Sequence, residues 1–454
     1  MTNVPIENTG IGGVTKSFED ELLIAKNGFE NFDWVYSDKI YPVNHTSKTG
    51  PYIFEIRADP YHFKDLRTLR VCGKVHICFG NTSPNTSNKY IASTINNYIH
   101  SQFSNIEYSL QGVEFSDSTR GSYPYIAYLQ TLLSYNIGAK KQSCKLAGWI
   151  KDTAEEFDEV DKNEKTDTSS KKCTNDGYKE RAELFCNDDY FDFRVKLLID
   201  LCNIDQYLIP GISIRIILTK ATDEFSLLSS DTSNTLTSDL QNLHITIDNL
   251  RPTNEYLQKF NTLLSKSDAK YIFDKNILRF YTYSPGISDL STYNVISSTH
   301  IPSMIFVGIV EDEAVSGDLK KNPFNFKHAN VRECYLQING VNLPLIPTPL
   351  DIANKQTNMM YSQFLEAVGI LDKNTDIGLT KKDWLGGNFI LAFDLNPDKC
   401  GNFHYHTAKS GILNLILKLD SPLLSSHKVI IFGSSRDYFI IDSNLNIIYN
   451  KALI

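Results

Sequence analysis

The sequence has no long apolar run and no closely paired cysteines. Its longest apolar stretch, MIFVGIV from Met304, is far shorter than the roughly 18 residues that a membrane-spanning helix needs. The opening MTNVPIENTG has neither the basic start nor the apolar segment of a secretory leader. The eight cysteines form no CxxC pair, and Cys72 and Cys78 lie in the strand-like VCGKVHICF, where a free thiol packs as a small apolar group. We therefore expect a reducing compartment and no membrane insertion.

The sequence also lacks a basic cluster. It has 45 Lys and Arg against 53 Asp and Glu, a net charge of −8, and the cations are scattered along the chain. Nucleic-acid binders use a basic stripe to displace the counterions of the phosphates. We therefore expect no direct sequence-specific contact with nucleic acid.

One pattern occurs twice. Residues 105–115 read NIEYSLQGVEF and residues 330–343 read NVRECYLQINGVNL, each with apolar residues in alternation before a turn at Gly112 or Gly340. An amphipathic stretch follows each copy, PYIAYLQTLLSY from Pro124 and NMMYSQFLEAVGIL from Asn358. This repetition predicts a duplicated β-domain.

The next landmarks differ in spacing because of one polar insertion. Gly211 follows Gly112 by 99 positions, whereas Gly411 follows Gly340 by 71, a difference of 28. Residues 151–180 form a segment of 30 residues of almost unbroken polarity, and this composition predicts a segment too charged to bury anything. We expect residues 158–175 to form an exposed, mobile loop.

Strand-like segments dominate both halves. Alternating β-branched and aromatic residues predict strands near 51–57, 68–79, 105–115, 191–200, 212–220 and 243–250, and again near 277–283, 304–311, 331–338, 388–395, 412–419, 428–433 and 438–449. The stretch RPTNEYLQKFNTLLSKSDAK has helical spacing and predicts a connecting helix, so we place the domain boundary near Thr253. The expected fold is all-β, a double jelly roll of two antiparallel eight-stranded sandwiches with short inserted helices. We expect an N-terminal arm at 1–49, a first jelly roll at 50–252 and a second at 253–454.

Several ordered blocks resemble one known family. INNYIHSQFSNIEYSLQG, LKKNPFNFKHANV, LQINGVNLP, FILAFDLNPD and IIDSNLNIIYN are similar to the major capsid proteins of Polinton (Maverick) elements and the related adintoviruses, from about Gly50 to Asn450. The resemblance implies a double jelly-roll protein of the lineage of adenovirus hexons and virophage shells, whose homotrimers form pseudo-hexagonal capsomers of an icosahedral shell. It further implies contacts with neighbouring capsomers and with vertex (penton) and minor capsid proteins. The implied location is the virion, and the nucleus or cytoplasm of the host cell during assembly. The resemblance implies no enzymatic activity and no cofactor.

The two helical inserts supply candidate capsomer-interface residues. They carry more large apolar side chains than a small surface helix needs: Tyr125, Tyr128, Leu129, Leu132, Met359, Phe364, Leu365 and Val368. Stable capsomers need interfaces of roughly 2,000 Å² or more, to which such residues would contribute. Packing of each helix against its own sandwich explains the pattern equally well. Because the chain is acidic, we expect a separate basic protein to condense the genome.

Other functional classes stay open as alternatives. His404 and His406 share one face of the strand-like FHYH and are candidate ligands of a cupin-like metal enzyme, but no third ligand follows at a diagnostic spacing, which favours a structural pair. LKKNPFNFKH mixes basic and aromatic residues as a nucleic-acid loop does, yet Pro323 and two phenylalanines favour a core segment. A carbohydrate-binding or attachment sandwich would need exposed aromatic residues in a groove. No Ser-His-Asp or paired-carboxylate arrangement follows from the spacing.

Overall fold

The first half of the chain forms two antiparallel sheets over a common core. The computed structural model describes residues 32–44, 50–79, 92–117, 119–160, 174–185, 190–230, 235–296, 301–345, 348, 350–396 and 411–449. The strands of this half are β1 Phe32–Ile40, β2 Tyr52–Ile56, β3 Phe63–Phe79, β4 Ala92–Thr94, β5 Phe103–Leu110, β6 Val113–Glu114, β7 Phe191–Lys196, β8 Ile214–Lys220, β9 Leu227–Ser229 and β10 Leu236–Pro252. One sheet has the order β1-β10-β3-β7 and the other β2-β8-β5-β6, while β4 pairs with β9 alone. Side chains of both four-stranded sheets meet in one apolar cluster.

The second half repeats this arrangement. Its strands are β11 Ala269–Tyr283, β12 Thr292–Ile296, β13 Met304–Glu311, β14 Val331–Ile338, β15 Val341–Leu343, β16 Ile390–Asp394, β17 Leu413–Leu419, β18 His427–Ile441 and β19 Ile447–Ile448. The sheets have the orders β11-β18-β13-β16 and β12-β17-β14-β15, and β19 adds to β18.

Both halves have the strand order of a jelly roll. When the main strands of each half are lettered B to I along the chain, leaving out β4, β9 and β19, each half gives one B-I-D-G sheet and one C-H-E-F sheet. Eight antiparallel strands in two sheets with this order form a jelly roll. The predicted all-β double jelly roll is therefore confirmed.

Strand β8 shows why these segments form half-buried strands. In IRIILTK the side chains of Ile214, Ile216 and Leu218 are at most 3% exposed, and the residues between them point to the other face. Ile216 lies between Phe54 of β2 and Tyr108 of β5 in the sheet register. Full burial of such a side chain contributes about 1.5–3 kcal/mol, and this gain fixes the register, because a slip by one residue would expose all three.

The repeated Gly landmarks are the E–F turns of the two jelly rolls. Leu110 pairs with Val113 and Ile338 with Val341, so each turn has two residues. Those residues have positive φ angles in both turns, 47° and 81° at Gln111-Gly112 and 50° and 85° at Asn339-Gly340. Two positive φ angles are what a tight type I′ hairpin requires, which explains the glycine in each copy.

Short helices connect the strands. They are α1 Tyr98–Ser101, α2 Ser122–Ser134, α3 Ile137–Lys141, α4 Asp176–Phe185, α5 Asp223–Ser226, α6 Asn254–Leu264, α7 Asp312–Ser316, α8 Asn358–Val368 and α9 Lys381–Leu385, with 3-10 turns at Cys144–Ala147 and Asp200–Asn203. In the described residues, none of these helices has the length and apolarity to cross a bilayer. The predicted connecting helix is α6, and Thr253 caps it by accepting a hydrogen bond from the N–H of Tyr256. The exact domain boundary stays a prediction.

Two expectations about the chain need correction. Strand β1 falls in the range 1–49 predicted as an arm, yet it pairs along its length with β10 in the first B-I-D-G sheet. The segment 151–180 was expected to bury nothing, but Phe157 is 2% exposed and Asn175 and Tyr178 are fully buried. Hydrogen bonds compensate the buried polar groups of this segment; for example, Nδ2 of Asn175 donates to Oδ1 of Asp152 at 2.8 Å. Residues 161–173, the centre of the predicted mobile loop, lie outside the described residues.

Candidate functional site

Helix α2 lies at the junction between the two jelly rolls. Tyr125, Tyr128, Leu129 and Leu132 are all at most 5% exposed. The ring of Tyr125 contacts Phe280 of β11 at 5.5 Å, and the ring of Tyr128 stacks on Phe324, which lies between β13 and β14, at 4.2 Å. The assignment of these four residues to a contact between subunits is therefore wrong, because their surface is already covered within the chain.

Helix α8 keeps a part of its predicted surface. Phe364 is 1% exposed and packs near Trp384 at 6.2 Å between ring centres. Leu365 and Val368 are half-buried, whereas Met359 is 63% exposed. Phe364 therefore belongs to the core of its own jelly roll, and the exposed side of the helix near Met359 stays a candidate contact surface.

The metal hypothesis has no counterpart in the described part of the chain. His404 and His406 lie outside the described residues. Within the described residues, no three His, Cys, Asp or Glu side chains form a group that could hold a metal ion.

A buried ion pair of the first jelly roll lies at the junction. The side chains of Asp152 and Arg181 are both 0% exposed, and Nη2 of Arg181 donates to Oδ1 of Asp152 at 2.5 Å. The other guanidinium nitrogens donate to the main-chain oxygens of Thr94 and Ile150. From the second jelly roll, Nδ2 of Asn322 reaches Oδ2 of Asp152 at 3.3 Å. A buried charge pair is tolerated only when further hydrogen bonds satisfy both groups, and this network supplies them.

Asp158 extends the same contact. Its carboxylate accepts from the N–H of Asn322 at 2.8 Å and from Nδ2 of Asn325 at 2.7 Å. Lys327 lies 3.5 Å from Asp158 and also pairs with Glu311. Partial burial opposes ionisation of Glu311, but hydrogen bonds from Lys321 and Lys327 outweigh it and lower its pKa to about 2. The segment predicted as a free loop is thus anchored at Asp158.

A second polar anchor surrounds Asp200. Its carboxylate accepts from the hydroxyl of Tyr108 at 2.9 Å and from Nδ2 of Asn276 at 2.6 Å, and Nζ of Lys275 lies 3.6 Å away. Burial raises the pKa of Asp200, and this effect is larger than the lowering of the pKa by Lys275 and by these hydrogen bonds. The adjoining cavity of about 30 Å³ has room for about one water molecule. The contacts of Asp200 therefore join the two jelly rolls.

Apolar rings fill the space around the second anchor. Phe115, just after β6, stacks on Tyr449 at 4.5 Å and contacts Phe439 of β18 at 5.0 Å. The hydroxyl of Tyr271 in β11 donates to the main-chain oxygen of Tyr207 at 3.0 Å. Phe115 also contacts Phe273 of β11 at 6.1 Å, so the F-strand side of the first jelly roll is packed against the B and I strands of the second.

The segment after α2 docks on the loop before β16. The N–H of Ile137 donates to the oxygen of Asp376 at 2.9 Å, and Nζ of Lys140 to the oxygen of Ile377 at 2.7 Å. Burial lowers the pKa of Lys140 to about 8. The N–H of Glu155 donates to the oxygen of Gly386 at 2.7 Å, and a Cβ on that glycine would lie only 2.8 Å from this nitrogen. The close approach therefore requires glycine, and the two jelly rolls form one tightly joined unit.

Two outward surfaces were not expected from the sequence. The edge strand β1 exposes Trp34 at 67% and Val35 at 53%. Basic side chains also lie close together on the outer face of the first B-I-D-G sheet. Lys39, Arg70 and Lys196 lie in one row across the sheet, with Thr246 of β10 between Lys39 and Arg70. Arg194 and Lys74 lie in the next rows. These cations come from strands far apart in the sequence, so only the sheet register brings them together.

Comparison with known proteins supports the fold. A chain of the Sputnik virophage structure determined by cryo-EM covers 100% of this chain with 95% of its own length, at a TM-score of 0.60 and 11% identity. The mavirus major capsid protein covers 100% of this chain with 97% of its own, at 0.52 and 11%. The Faustovirus major capsid protein covers 92% of each chain at 0.53 and 9%. At such identities the likeness establishes the double jelly-roll fold.

Sequence comparison adds one relative. A Caenorhabditis elegans protein described as uncharacterized protein F54H12.2 is 21% identical over 322 residues, which cover 69% of this chain and 71% of that protein. No protein-family model matches the chain.

Proposed function

We propose that this chain is a major capsid protein whose trimers form pseudo-hexagonal capsomers of an icosahedral virus shell, in the lineage of Polinton elements and adintoviruses. The observation that carries the proposal is the B-I-D-G and C-H-E-F order, present twice in one chain. Full-length likeness to a virophage chain and to the mavirus major capsid protein supports the same role. The two anchored contacts at the junction suit a building block that must stay rigid under the load of a shell.

The in-chain junction suggests how chains would join. It brings the F-strand side of the first jelly roll against β11, the B strand of the second. The two surfaces that correspond to this junction at the outer ends of the chain are edge strands. In the described residues, β1, the B strand of the first jelly roll, and β15, the F strand of the second, each pair with one strand only. Both carry exposed apolar side chains, Trp34 on β1 and, at 56% exposure, Val341 on β15.

Repeating the junction from chain to chain gives a closed ring. Repeated head-to-tail contacts form a closed ring when the rotation from one jelly roll to the next is a whole fraction of a full turn. Six similar jelly rolls from three chains, each rotated by about one sixth of a turn, satisfy this condition. Such a trimer has six similar outer edges, so it can occupy a hexagonal position in a shell. In this proposal the chain is found in the virion and in the host-cell nucleus or cytoplasm during assembly. Its partners are neighbouring capsomers, vertex and minor capsid proteins, while a separate basic protein condenses the genome.

Native mass measurement tests the ring. Light scattering and native mass spectrometry should give three times the 51.5 kDa mass of the chain. Trp34→Glu and Val341→Glu place a charge on the two proposed contact surfaces and should each lower the trimer fraction. Leu424→Glu is the matched control, because Leu424 is 98% exposed and belongs to the loop between β17 and β18, not to β1 or β15. A monomer at every salt concentration and pH would contradict the proposal.

A further inference from the structure

A buried histidine contacts the start of helix α2, the helix that lies at the junction. His100 belongs to α1, whose four residues are all buried, and it is 5% exposed. Its Nδ1 lies 2.8 Å from the hydroxyl oxygen of Tyr123 in the first turn of α2. The same hydroxyl accepts a hydrogen bond from the N–H of Leu198 at 3.4 Å. One hydroxyl group thus connects α1, α2 and the segment that follows β7.

The hydrogen bond between His100 and Tyr123 fits a neutral imidazole. The oxygen of Tyr123 accepts from Leu198, so its hydrogen can be donated to Nδ1 of His100, which accepts a hydrogen bond only in a neutral ring. A protonated ring carries hydrogens on both nitrogens and can only donate. The hydroxyl hydrogen of Tyr123 would then have to turn away, and a positive charge would lie in surroundings largely closed to water. Protonation of His100 therefore breaks the present hydrogen bond.

No charged neighbour compensates a proton on His100 in the described part of the chain. Burial is the cause that lowers its pKa to about 4. Helix α1 packs on α2, α5, β5 and the 3-10 turn Cys144–Ala147. The titratable side chains of these four elements are Tyr123, Tyr125 and Tyr128, then Asp223 and Glu224, then Glu107 and Tyr108, and finally Cys144 and Lys145. Their carboxylates form no ion pair with His100, so a protonated ring would lack a counter-charge.

Helix α2 carries the contacts of this region to the second jelly roll. Tyr125 lies two positions after Tyr123, and its ring contacts Phe280 at 5.5 Å. Tyr128 stacks on Phe324 at 4.2 Å, and its hydroxyl donates to Oδ1 of Asn388 at 2.9 Å. These contacts need α2 in its present position, and Tyr123 helps to fix the start of the helix.

We infer that His100 is an acid-sensitive latch: its protonation releases Tyr123 and loosens α2 from the junction between the two jelly rolls. The latch acts within one chain, so it does not depend on the proposed trimer. The pKa of His100 is about 4 in the folded chain and about 6.5 in an opened one, so its stabilisation is complete above pH 6.5 and lost as the pH falls towards 4. At pH 5 the ratio of opened to closed chains should be about 30 times that at pH 8.

Asp200 titrates nearby with the opposite sign. It lines the small cavity beside Tyr123, and burial raises its pKa. Protonation of Asp200 in acid therefore stabilises the folded chain, whereas protonation of His100 destabilises it. A comparison of the wild type with His100→Gln separates the two effects, because glutamine can accept a hydrogen bond from Tyr123 and stays neutral.

Hydrogen exchange followed by mass spectrometry tests the latch. With rates corrected for intrinsic exchange, peptides of α2 in the wild type should exchange about 30 times faster at pH 5 than at pH 8, while peptides of β8 change little. His100→Gln should show no such acceleration in α2. His244→Gln is the matched control and should behave like the wild type, because His244 is a half-buried histidine on β10 of the same jelly roll whose Nδ1 lies 2.8 Å from the oxygen of Asn242.

Three outcomes would overturn the inference. The first is an equal acceleration in the wild type and in His100→Gln, and the second is an acceleration in β8 as large as that in α2. The third comes from a titration of the histidine rings of the wild type by nuclear magnetic resonance, which needs no variant: one ring should titrate near pH 4, and titration of every ring near pH 6.5 would contradict the latch. None of these outcomes changes the native mass at pH 8, so the proposed function is tested separately.

Discussion

Replacing Asp152 with asparagine removes one charge from the buried network at the junction and hardly changes its shape. Arg181 would keep its hydrogen bonds to the main-chain oxygens of Thr94 and Ile150, but it would lose its one carboxylate partner in the described residues. Because the side chain of Arg181 is 0% exposed, water cannot compensate the charge. Breaking a buried pair from one side lowers the free energy of unfolding by about 3–5 kcal/mol.

Calorimetry and urea unfolding measure this loss. A domain of about 200 residues loses roughly 2–4 °C in melting temperature per kcal/mol, so Asp152→Asn should melt on the order of 10 °C lower. The control is Glu255→Gln, which breaks the exposed pair with Lys259 on α6 and should melt like the wild type. A wild-type melting temperature for Asp152→Asn would refute the claim that this pair holds the junction.

Three further predictions concern Glu311, the segment 161–175 and the histidine pair. Lys321 and Lys327 lower the pKa of Glu311 to about 2, so the stabilisation by its ionised carboxylate should be complete above pH 4.5 and lost as the pH falls towards 2. Urea unfolding of the wild type and of Glu311→Gln across this pH range measures the loss. Parallel curves of stability against pH for the two proteins would contradict the prediction. Replacing residues 161–173 with a short Gly/Ser linker should leave the native mass unchanged, whereas Asn175→Ala, which removes a hydrogen bond to Asp152, should lower the melting temperature. Elemental analysis of the wild type should find no stoichiometric zinc, iron or manganese. A stoichiometric metal that is lost in His404→Ala would contradict the interpretation of the two histidines as a structural pair.

The features that local sequence determines were predictable. The two-residue E–F turns at Gly112 and Gly340 follow from positive φ angles that glycine adopts without strain, so the duplication could be read from the sequence. Buried strands such as β8 alternate with a period of two and were placed within a few residues. Strand β1 was missed because its residues 33–39 are all exposed, so no apolar face marks it.

The features that depend on distant partners were not predictable. Asp152 and Asn175 read as loop residues, since the buried Arg181 that compensates Asp152 is 29 positions away. The apolar side of α2 was visible, but nothing in its sequence distinguishes a neighbouring subunit from the second jelly roll of the same chain. The basic face was read as scattered charge, because Lys39, Arg70 and Lys196 meet only through the strand register.

Electron cryomicroscopy of the purified protein tests the proposed function most directly. The proposal predicts particles with threefold symmetry and six similar lobes of density, in which β1 of one chain lies beside β15 of the next. Co-expression with vertex proteins should convert these particles into closed icosahedral shells. Two-lobed single chains under all salt and pH conditions, with no shells on co-expression, would contradict it.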